Sequence, residues 1–255
     1  MLIRDYPCLP VPTDPYGQAG VVNTYSGIMY ILAYIFFVLP IIDKVEENYE
    51  RLETIQGEVL RYTTQGENTG FMKGEFRIKR PNKLYINYVK PPRTIILSDS
   101  LLWIYLPEEK MASKIDYANL SQMEKNLLGL ESFLGINPLE GFEDKFDFEL
   151  EGDEIIGIPP RGAFISKIVI SLDTTKMVVQ ELDIFDTNDK LYAKTRYEDF
   201  KSYGDVWFPY RIVTEIFATG TKEETVFKDI SINEAVDSLC FDFVPHEGVK
   251  IIERR

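Results

Sequence analysis

Histidine and cysteine, the side chains most used for catalysis and metal binding, are nearly absent from this sequence. Its 255 residues include one histidine, His246, and two cysteines, Cys8 and Cys240. There is no Cys/His spacing typical of a zinc site, no Gly-x-Ser-x-Gly elbow, no P-loop and no Gly-x-Gly-x-x-Gly fingerprint. We therefore expect no enzymatic activity, no metal and no cofactor. A hydrolase built on an unrecognised pair of carboxylates is the enzymatic alternative that stays open.

Basic residues are also few. Lysine and arginine together number 28 against 41 aspartates and glutamates, which gives a formal net charge of −13 at pH 7. Nucleic-acid affinity depends on contacts to phosphates, and an anionic membrane surface attracts basic segments. The acidity therefore argues against both partners and suits a soluble carrier or enzyme.

Long apolar runs are limited to one stretch of 16 uncharged residues, Gly27 to Ile42. A bilayer-spanning helix needs roughly 20 apolar residues, whereas the apolar core of a secretory signal needs roughly 7 to 15. The flanks fit a signal peptide poorly, because Arg4 is the only basic residue upstream and no small-x-small cleavage site precedes Asp43. We predict residues 1–42 to be a disordered N-terminus with a signal or anchor segment and residues 43–255 to be one domain. Cleavage, retention as an anchor and a cytosolic buried helix all stay open.

What is abundant favours β structure, since the chain holds 15 tyrosines and 16 phenylalanines. Between Gly74 and Pro107, apolar and polar residues alternate in short runs separated by Pro/Asn and Asp/Ser clusters, the pattern of consecutive antiparallel strands. Period-two alternation places Phe76, Ile78 and Arg80 on one face of the first run. A charge on an apolar face is costly unless it is paired, so Arg80 is singled out as a candidate functional residue.

Two segments follow a helical period instead. Within residues 43–54, Val45, Tyr49 and Leu52 form one apolar face, and Asp43 is a candidate N-cap. Residues 116–135 are predicted to form a helical insertion that either covers the sheet or acts as a movable lid. Its apolar stripe contains Leu120, Met123, Leu127, Leu130 and Leu134. The remaining runs to residue 252 give about eleven strands in one antiparallel meander or barrel whose concave, apolar face is a site for an apolar ligand.

Two stretches resemble the periplasmic lipoprotein carrier family, LolA. They are KRPNKLYINYVKPP (79–92) with SDSLLWIYLP (98–107), and the closing FDFVPHEGVKII (241–252). The matching positions of the first motif are Lys79, Arg80, Pro81, Pro91, Ser98, Asp99, Leu102, Trp103, Tyr105 and Pro107. The resemblance implies a mainly β fold with some α structure, an incomplete, half-open antiparallel β-barrel with an α-helical lid over an apolar cavity.

The resemblance also implies a set of roles. Arg80 matches the family's strand-end arginine, which bonds to the lid and keeps the empty cavity closed. The expected acyl-chain cavity is formed by Phe76, Ile78, Leu84, Ile86, Tyr88, Leu102 and Ile104. The expected partners are acylated lipoproteins, an inner-membrane ABC release complex like LolCDE and an outer-membrane acceptor like LolB. We expect a monomeric periplasmic carrier, or, if residues 27–42 are retained, a membrane-anchored lipid-binding or stress-sensing domain of the same fold.

Overall fold

The computed structural model describes residues 41–120, 137–139, 146–152 and 154–254. Within them, residues 41–50 form helix α1. The strands are β1 (Thr54–Gln65), β2 (Asn68–Lys79), β3 (Lys83–Lys90), β4 (Pro92–Ser98), β5 (Leu101–Leu106), β6 (Met111–Asp116), β7 (Asp147–Glu151), β8 (Glu154–Ile158), β9 (Ile165–Asp173), β10 (Val178–Asp186), β11 (Leu191–Tyr203), β12 (Val206–Ile216), β13 (Thr221–Ile232) and β14 (Lys250–Arg254). A short 3₁₀ helix, Ser238–Phe241, precedes β14.

The described strands form one open, curled sheet in the order β14-β6-β5-β4-β3-β2-β1-β13-β12-β11-β10-β9-β8-β7. Neighbours pair antiparallel, apart from β14, which lies parallel to β6. The long-range pair β1–β13 joins the two halves of the meander. The mainly β prediction is confirmed. The predicted half-open antiparallel barrel is wrong in detail, since the described strands form one open, curled sheet and β14 pairs parallel with β6.

The predicted count of about eleven strands is wrong, because the described residues hold 14. β6 has a weak apolar pattern, MASKID, in which only Ala112 and Ile115 are buried, and it was not predicted. The run from 146 to 160 divides into β7 and β8 at a turn in which Gly152 has φ of +64°. Both misses come from short strands near the sheet edges, where little apolar surface is buried and the period-two signal is weak.

The concave face of the sheet packs onto one side of α1. Val45, Tyr49 and Leu52 are each fully buried in the core, as the helical spacing predicts. The predicted helix bounds of 43–54 are wrong, since residues 41 and 42 are already helical and the helix ends at residue 50. Asp43 is therefore an exposed residue inside the helix and not its N-cap.

A buried hydroxyl fixes α1 to the far half of the sheet. The backbone N–H of Val179, at the start of β10, donates to the Tyr49 hydroxyl over 3.2 Å. Burial of the phenol raises the pKa of Tyr49, and the Val179 hydrogen bond only partly offsets this. Since the unfolded chain ionises at about pH 10 and the folded chain above it, this group stabilises the fold below pH 10 and the stabilisation is lost as the pH rises further.

Tyr49→Phe is expected to lower the free energy of unfolding at pH 7 by about 2 kcal/mol, because the buried Val179 N–H loses its acceptor. Above pH 10 the variant should lose stability less steeply than the wild type, by about 1.4 kcal/mol per pH unit. Urea unfolding at pH 7 and at several alkaline pH values measures both effects. Tyr62→Phe is the control, since that ring is 39% exposed. Equal alkaline slopes for Tyr49→Phe and wild type would contradict this account.

The convex face is solvated over β10–β13 and covered over β4–β6. Across β11 and β12, Arg196 lies 2.6 Å from Glu215, and Arg211 lies 2.8 Å from Glu224 on β13. Over β5, the ring of Phe243 lies 4.9 Å from that of Trp103 and 5.6 Å from that of Tyr105. The C-terminal segment therefore supplies the second cover that strands apolar on both faces require.

The predicted N-terminal segment 1–42 lies almost wholly outside the described residues, and so does most of the predicted lid helix. Among the described residues, no helix is long and apolar enough to span a bilayer. The division into residues 1–42 and 43–255 stays a prediction.

Candidate functional site

The residues predicted to line an acyl-chain cavity come together on the concave face. In the β2–β3 ladder, Ile78 lies opposite Leu84 and Phe76 opposite Ile86. Six of the seven predicted residues are buried in one apolar cluster that also contains the buried side of α1. The seventh, Ile104, is partly buried and packs against this cluster. The seven residues are Phe76, Ile78, Leu84, Ile86, Tyr88, Leu102 and Ile104. We call this set the apolar floor.

Two phenylalanines that the sequence analysis missed extend the apolar floor across the sheet. The Phe227 ring on β13 lies 5.2 Å from the Phe76 ring and 5.3 Å from the Phe208 ring on β12. All three side chains are fully buried. The alternation in VWFPYRI and ETVFKDI marks these residues as facing one side, but the β1–β13 pairing that brings them beside Phe76 joins residues far apart in sequence.

Arg80 lies just past the end of β2 and reaches the last turn of α1. Its guanidinium donates to the backbone carbonyl of Tyr49 over 2.7 Å, and its backbone N–H donates to the carbonyl of Glu53 over 2.8 Å. The last carbonyls of a helix lack intrahelical partners and carry partial negative charge, so a cation is favoured there. Arg80 therefore contacts α1, the helix that covers the apolar floor. The predicted bond from Arg80 to the lid segment 116–135 stays a prediction, because most of that segment lies outside the described residues.

Asn233, another residue that was not predicted from the sequence, forms a second set of hydrogen bonds at the C-terminal end of α1. Its side-chain amide donates to the carbonyl of Arg51 over 2.7 Å, and its side-chain oxygen accepts from the backbone N–H of Glu53 over 2.9 Å. Asn233 has φ of +57°, a left-handed conformation that asparagine tolerates better than most residues. The C-terminal end of α1 is thus tied to the ends of both β2 and β13.

Of the predicted lid stripe, only Leu120 lies among the described residues. It is half-buried, packs against the apolar cluster and closes a turn by donating its N–H to the carbonyl of Tyr117 over 3.3 Å. Met123, Leu127, Leu130 and Leu134 lie outside the described residues. The role of this segment as a lid stays a prediction.

A polar cluster that was not predicted from the sequence lies on the concave face. It is at the end of the strands opposite to the contacts of Arg80 and Asn233 with α1. Arg61 on β1 is 5% exposed, and its guanidinium lies 2.6 Å from the carboxylate of Glu223 on β13. Burial raises the pKa of Tyr88, while the nearby charges of Arg61 and Arg93 act to lower it and Glu223 to raise it. We call Arg61, Tyr88, Arg93 and Glu223 the arginine cluster.

Two open cavities among the described residues lie on the convex side and differ from the predicted site. One, of about 580 Å³, lies over β9–β11 and is lined by charged side chains such as Lys176, Glu181 and Arg196. The other, of about 600 Å³, lies over β13, β1, β2 and β3 and includes Lys73 and Asp229. Neither has the apolar lining that an acyl chain requires.

The chain matches one family model and several solved structures. A family model described as "uncharacterized protein" matches residues 93–243, more than half of the chain. No curated protein matches the sequence. A DUF1329 family protein from Desulfovibrio piger is similar in structure, with a TM-score of 0.62, 15% identity, and coverage of 84% of this chain and 99% of that one.

Two further solved structures have the same fold. A putative outer membrane lipoprotein-sorting protein domain from Vibrio parahaemolyticus has a TM-score of 0.57 and 15% identity, covering 79% of this chain and 95% of that one. A LolA superfamily protein from Nitrosomonas europaea has a TM-score of 0.52 and 13% identity, covering 79% of this chain and 96% of that one. At these identities the likeness concerns the fold.

Proposed function

We propose that this protein is a carrier of acylated lipoproteins. The chain belongs to the family of uncharacterized proteins whose model matches residues 93–243, and its fold is LolA-like. In this proposal the apolar floor takes the acyl chains, and the protein shuttles them across the periplasm to the outer membrane. The observation that carries it is an apolar concave face covered by a helix that polar contacts hold at one end. The solved structure of a lipoprotein-sorting protein domain with this fold supports it.

The mechanism is physical and needs no catalytic residue. Each CH₂ group that leaves water for the apolar floor contributes about 0.8 kcal/mol to binding. Admitting a chain requires α1, and in this proposal the lid stripe from Leu120 to Leu134, to move from the floor. The hydrogen bonds from Arg80 and Asn233 to α1 oppose that movement. These costs keep the affinity moderate, so that an acceptor with a more accessible apolar site can remove the cargo.

The proposed partners follow from this cycle. A LolCDE-like inner-membrane complex supplies the acylated lipoprotein, and a LolB-like acceptor in the outer membrane receives it. A membrane-anchored lipid-binding or stress-sensing domain is the second candidate function, because the 16 uncharged residues Gly27 to Ile42 can serve as an uncleaved anchor. The intact mass of the protein from an envelope fraction distinguishes the two, since only the anchored form retains residues 1–42.

Native mass spectrometry of the full protein from an envelope fraction tests the carrier function. The expected result is a bound diacyl or triacyl species, or a co-purified lipoprotein. A second measurement adds a fluorescent diacylglyceryl-cysteine lipopeptide to the delipidated protein and follows binding and release. A protein that is empty after isolation and does not bind the lipopeptide would overturn the proposal.

Arg80→Leu is expected to bind the same lipopeptide about tenfold more tightly and to release it more slowly. The reason is that a charge-assisted hydrogen bond to the Tyr49 carbonyl no longer opposes displacement of α1. Lys79→Leu is the matched control, because Lys79 is the exposed neighbour on the opposite face. Unchanged affinity and release rate in Arg80→Leu would remove Arg80 from the mechanism without affecting the carrier function itself.

A further inference from the structure

We infer that the arginine cluster binds the anionic head group, a carboxylate or a phosphate, of an acyl-chain amphiphile whose chain lies on the apolar floor. This inference rests on the proposed function in assuming that the concave face takes acyl chains. It concerns a second class of ligand, because the diacylglyceryl-cysteine of an acylated lipoprotein has no carboxylate or phosphate head group. It adds a polar end to the site and names the class of ligand.

The first argument is position. Arg61 and Thr225 lie opposite each other in the β1–β13 ladder, and Thr225 is 2% exposed. Val59, two residues before Arg61, and Phe227, two residues after Thr225, are fully buried in the core. Because side chains alternate along a strand, Arg61 points to the same concave face as the apolar floor.

The second argument is that the arginine cluster directly continues the apolar floor along β3. Leu84, Ile86 and Tyr88 share one face, and Tyr88 lies opposite Arg93 in the β3–β4 ladder. Four residues of strand span about 13 Å, so an acyl chain lying along Leu84 and Ile86 places its head group beside Tyr88 and the two arginines. The floor and the cluster thus form two ends of one surface.

The third argument is energetic. A buried arginine–glutamate pair is commonly no more stable than apolar side chains of similar volume, because desolvation cancels most of the attraction. Arg61 has 6% of its side chain exposed and Glu223 has 29%, so this partly buried pair contributes little net stability to an apolar face. A ligand that interacts with the guanidinium gives it a role that packing does not.

The fourth argument is the balance of charge. Arg93 lies opposite Tyr88 in the β3–β4 ladder, and the charges of Arg61 and Glu223 also act on Tyr88, in a chain whose net charge is −13. Tyr88 is 2% exposed, and its phenol is neutral at pH 7 and able to donate a hydrogen bond. Two guanidiniums and a phenol match the oxygens of a carboxylate or phosphate, whereas the Glu223 carboxylate repels an anion.

The test compares three amphiphiles with the same chain on the full protein: oleate, oleoyl lysophosphatidate and neutral monoolein. We expect the wild type to bind at least one of the two anions about tenfold more tightly than monoolein. The tighter of the two anions identifies whether a carboxylate or a phosphate is preferred. Arg93→Met should remove the preference while monoolein binding is retained.

The anion affinity of Glu223→Gln distinguishes a ligand site from an ion pair that is only structural. Removing the carboxylate should strengthen anion binding several-fold and leave monoolein binding unchanged, whereas a merely structural pair predicts no gain for anions. Arg61→Met leaves Glu223 without this partner and can impair folding, so Arg61→Met/Glu223→Met removes both charges and tests the loss of preference. Arg196→Met is the control for charge alone, because Arg196 is an ion-paired arginine on the convex face.

The possible failures are distinguishable. Equal binding of all three amphiphiles by the wild type overturns the head-group inference and leaves the carrier function standing. Binding of none of them, nor of the lipopeptide, overturns both. An anion preference that survives in both Arg93→Met and the double variant places the anion elsewhere and also overturns the inference.

Discussion

Phe227→Ala is expected to lower the free energy of unfolding by about 4 kcal/mol, because it removes a fully buried ring at the centre of the sheet. The Phe227 ring lies between those of Phe76 and Phe208, at centroid distances of 5.2 and 5.3 Å. β13 also makes the long-range pair with β1, so the surrounding strands have little freedom to collapse into the cavity. Urea unfolding followed by circular dichroism measures the loss.

Phe164→Ala is the matched control for this prediction. Phe164 is 94% exposed, and its truncation should change the free energy of unfolding by no more than about 0.5 kcal/mol. Phe227→Leu, which retains most of the apolar volume, should lie between the two. A loss below about 1 kcal/mol in Phe227→Ala would contradict the packing of the apolar floor described above.

Gly74→Ala is expected to lower the free energy of unfolding by about 3 kcal/mol, at the upper end of what overpacking usually costs. A Cβ atom at Gly74 would lie 2.4 Å from the carbonyl oxygen of Asn87 and 2.8 Å from the Cα of Tyr88. Both are backbone atoms of the paired strand, so relief requires a shift of β3 relative to β2. The register change between Lys73 and Gly74 marks the same position.

Gly70→Ala on the same strand provides the comparison. The nearest atom to a Cβ at Gly70 is 3.9 Å away, which is an ordinary contact. Alanine also lowers the conformational entropy of the unfolded chain relative to glycine, so Gly70→Ala should be neutral or slightly stabilising. Thermal and urea unfolding of both variants give the comparison, and equal stability would show that β3 moves freely at this point.

Gly74→Ala also has a consequence for the arginine cluster. Gly74 lies opposite Tyr88 in the β2–β3 ladder, on the strand between Tyr88 and Arg61. A displaced β3 moves Tyr88 and the adjacent Arg93 away from Arg61. Any folded Gly74→Ala protein should therefore show weaker discrimination between the preferred anionic amphiphile and monoolein than Gly70→Ala.

Local patterns predicted the strands and the buried faces well. The alternation at Phe76, Ile78, Leu84 and Ile86 identified the concave face, and helical spacing identified the buried side of α1 through Tyr49. Both signals are reliable because burial of one face imposes a short period on the sequence. The β6 strand was not predicted, and the helix N-terminus was wrongly placed at residue 43, since each depends on weak or ambiguous local signals.

The candidate site was predicted only in part, for the same reason. Arg80 stood out because its charge falls in phase with an apolar face. Arg61 belongs to a run, EVLRYTTQ, in which polar residues are frequent, so nothing local distinguishes it from a solvated residue. Its partner Glu223 is 162 residues away, and only the β1–β13 pairing brings the two side chains together.

By itself, the sequence determined the mainly β class of this protein, the apolar floor and the burial of one side of α1. These properties depend on the spacing of apolar residues within single elements. The tertiary structure alone decided that Arg80 and Asn233 hold the same helix end and that Phe227 lies beside Phe76. It also decided that two arginines and a glutamate surround Tyr88. These contacts join strands that are distant in the chain, and they are set by the order and register of the whole sheet, which no local period encodes.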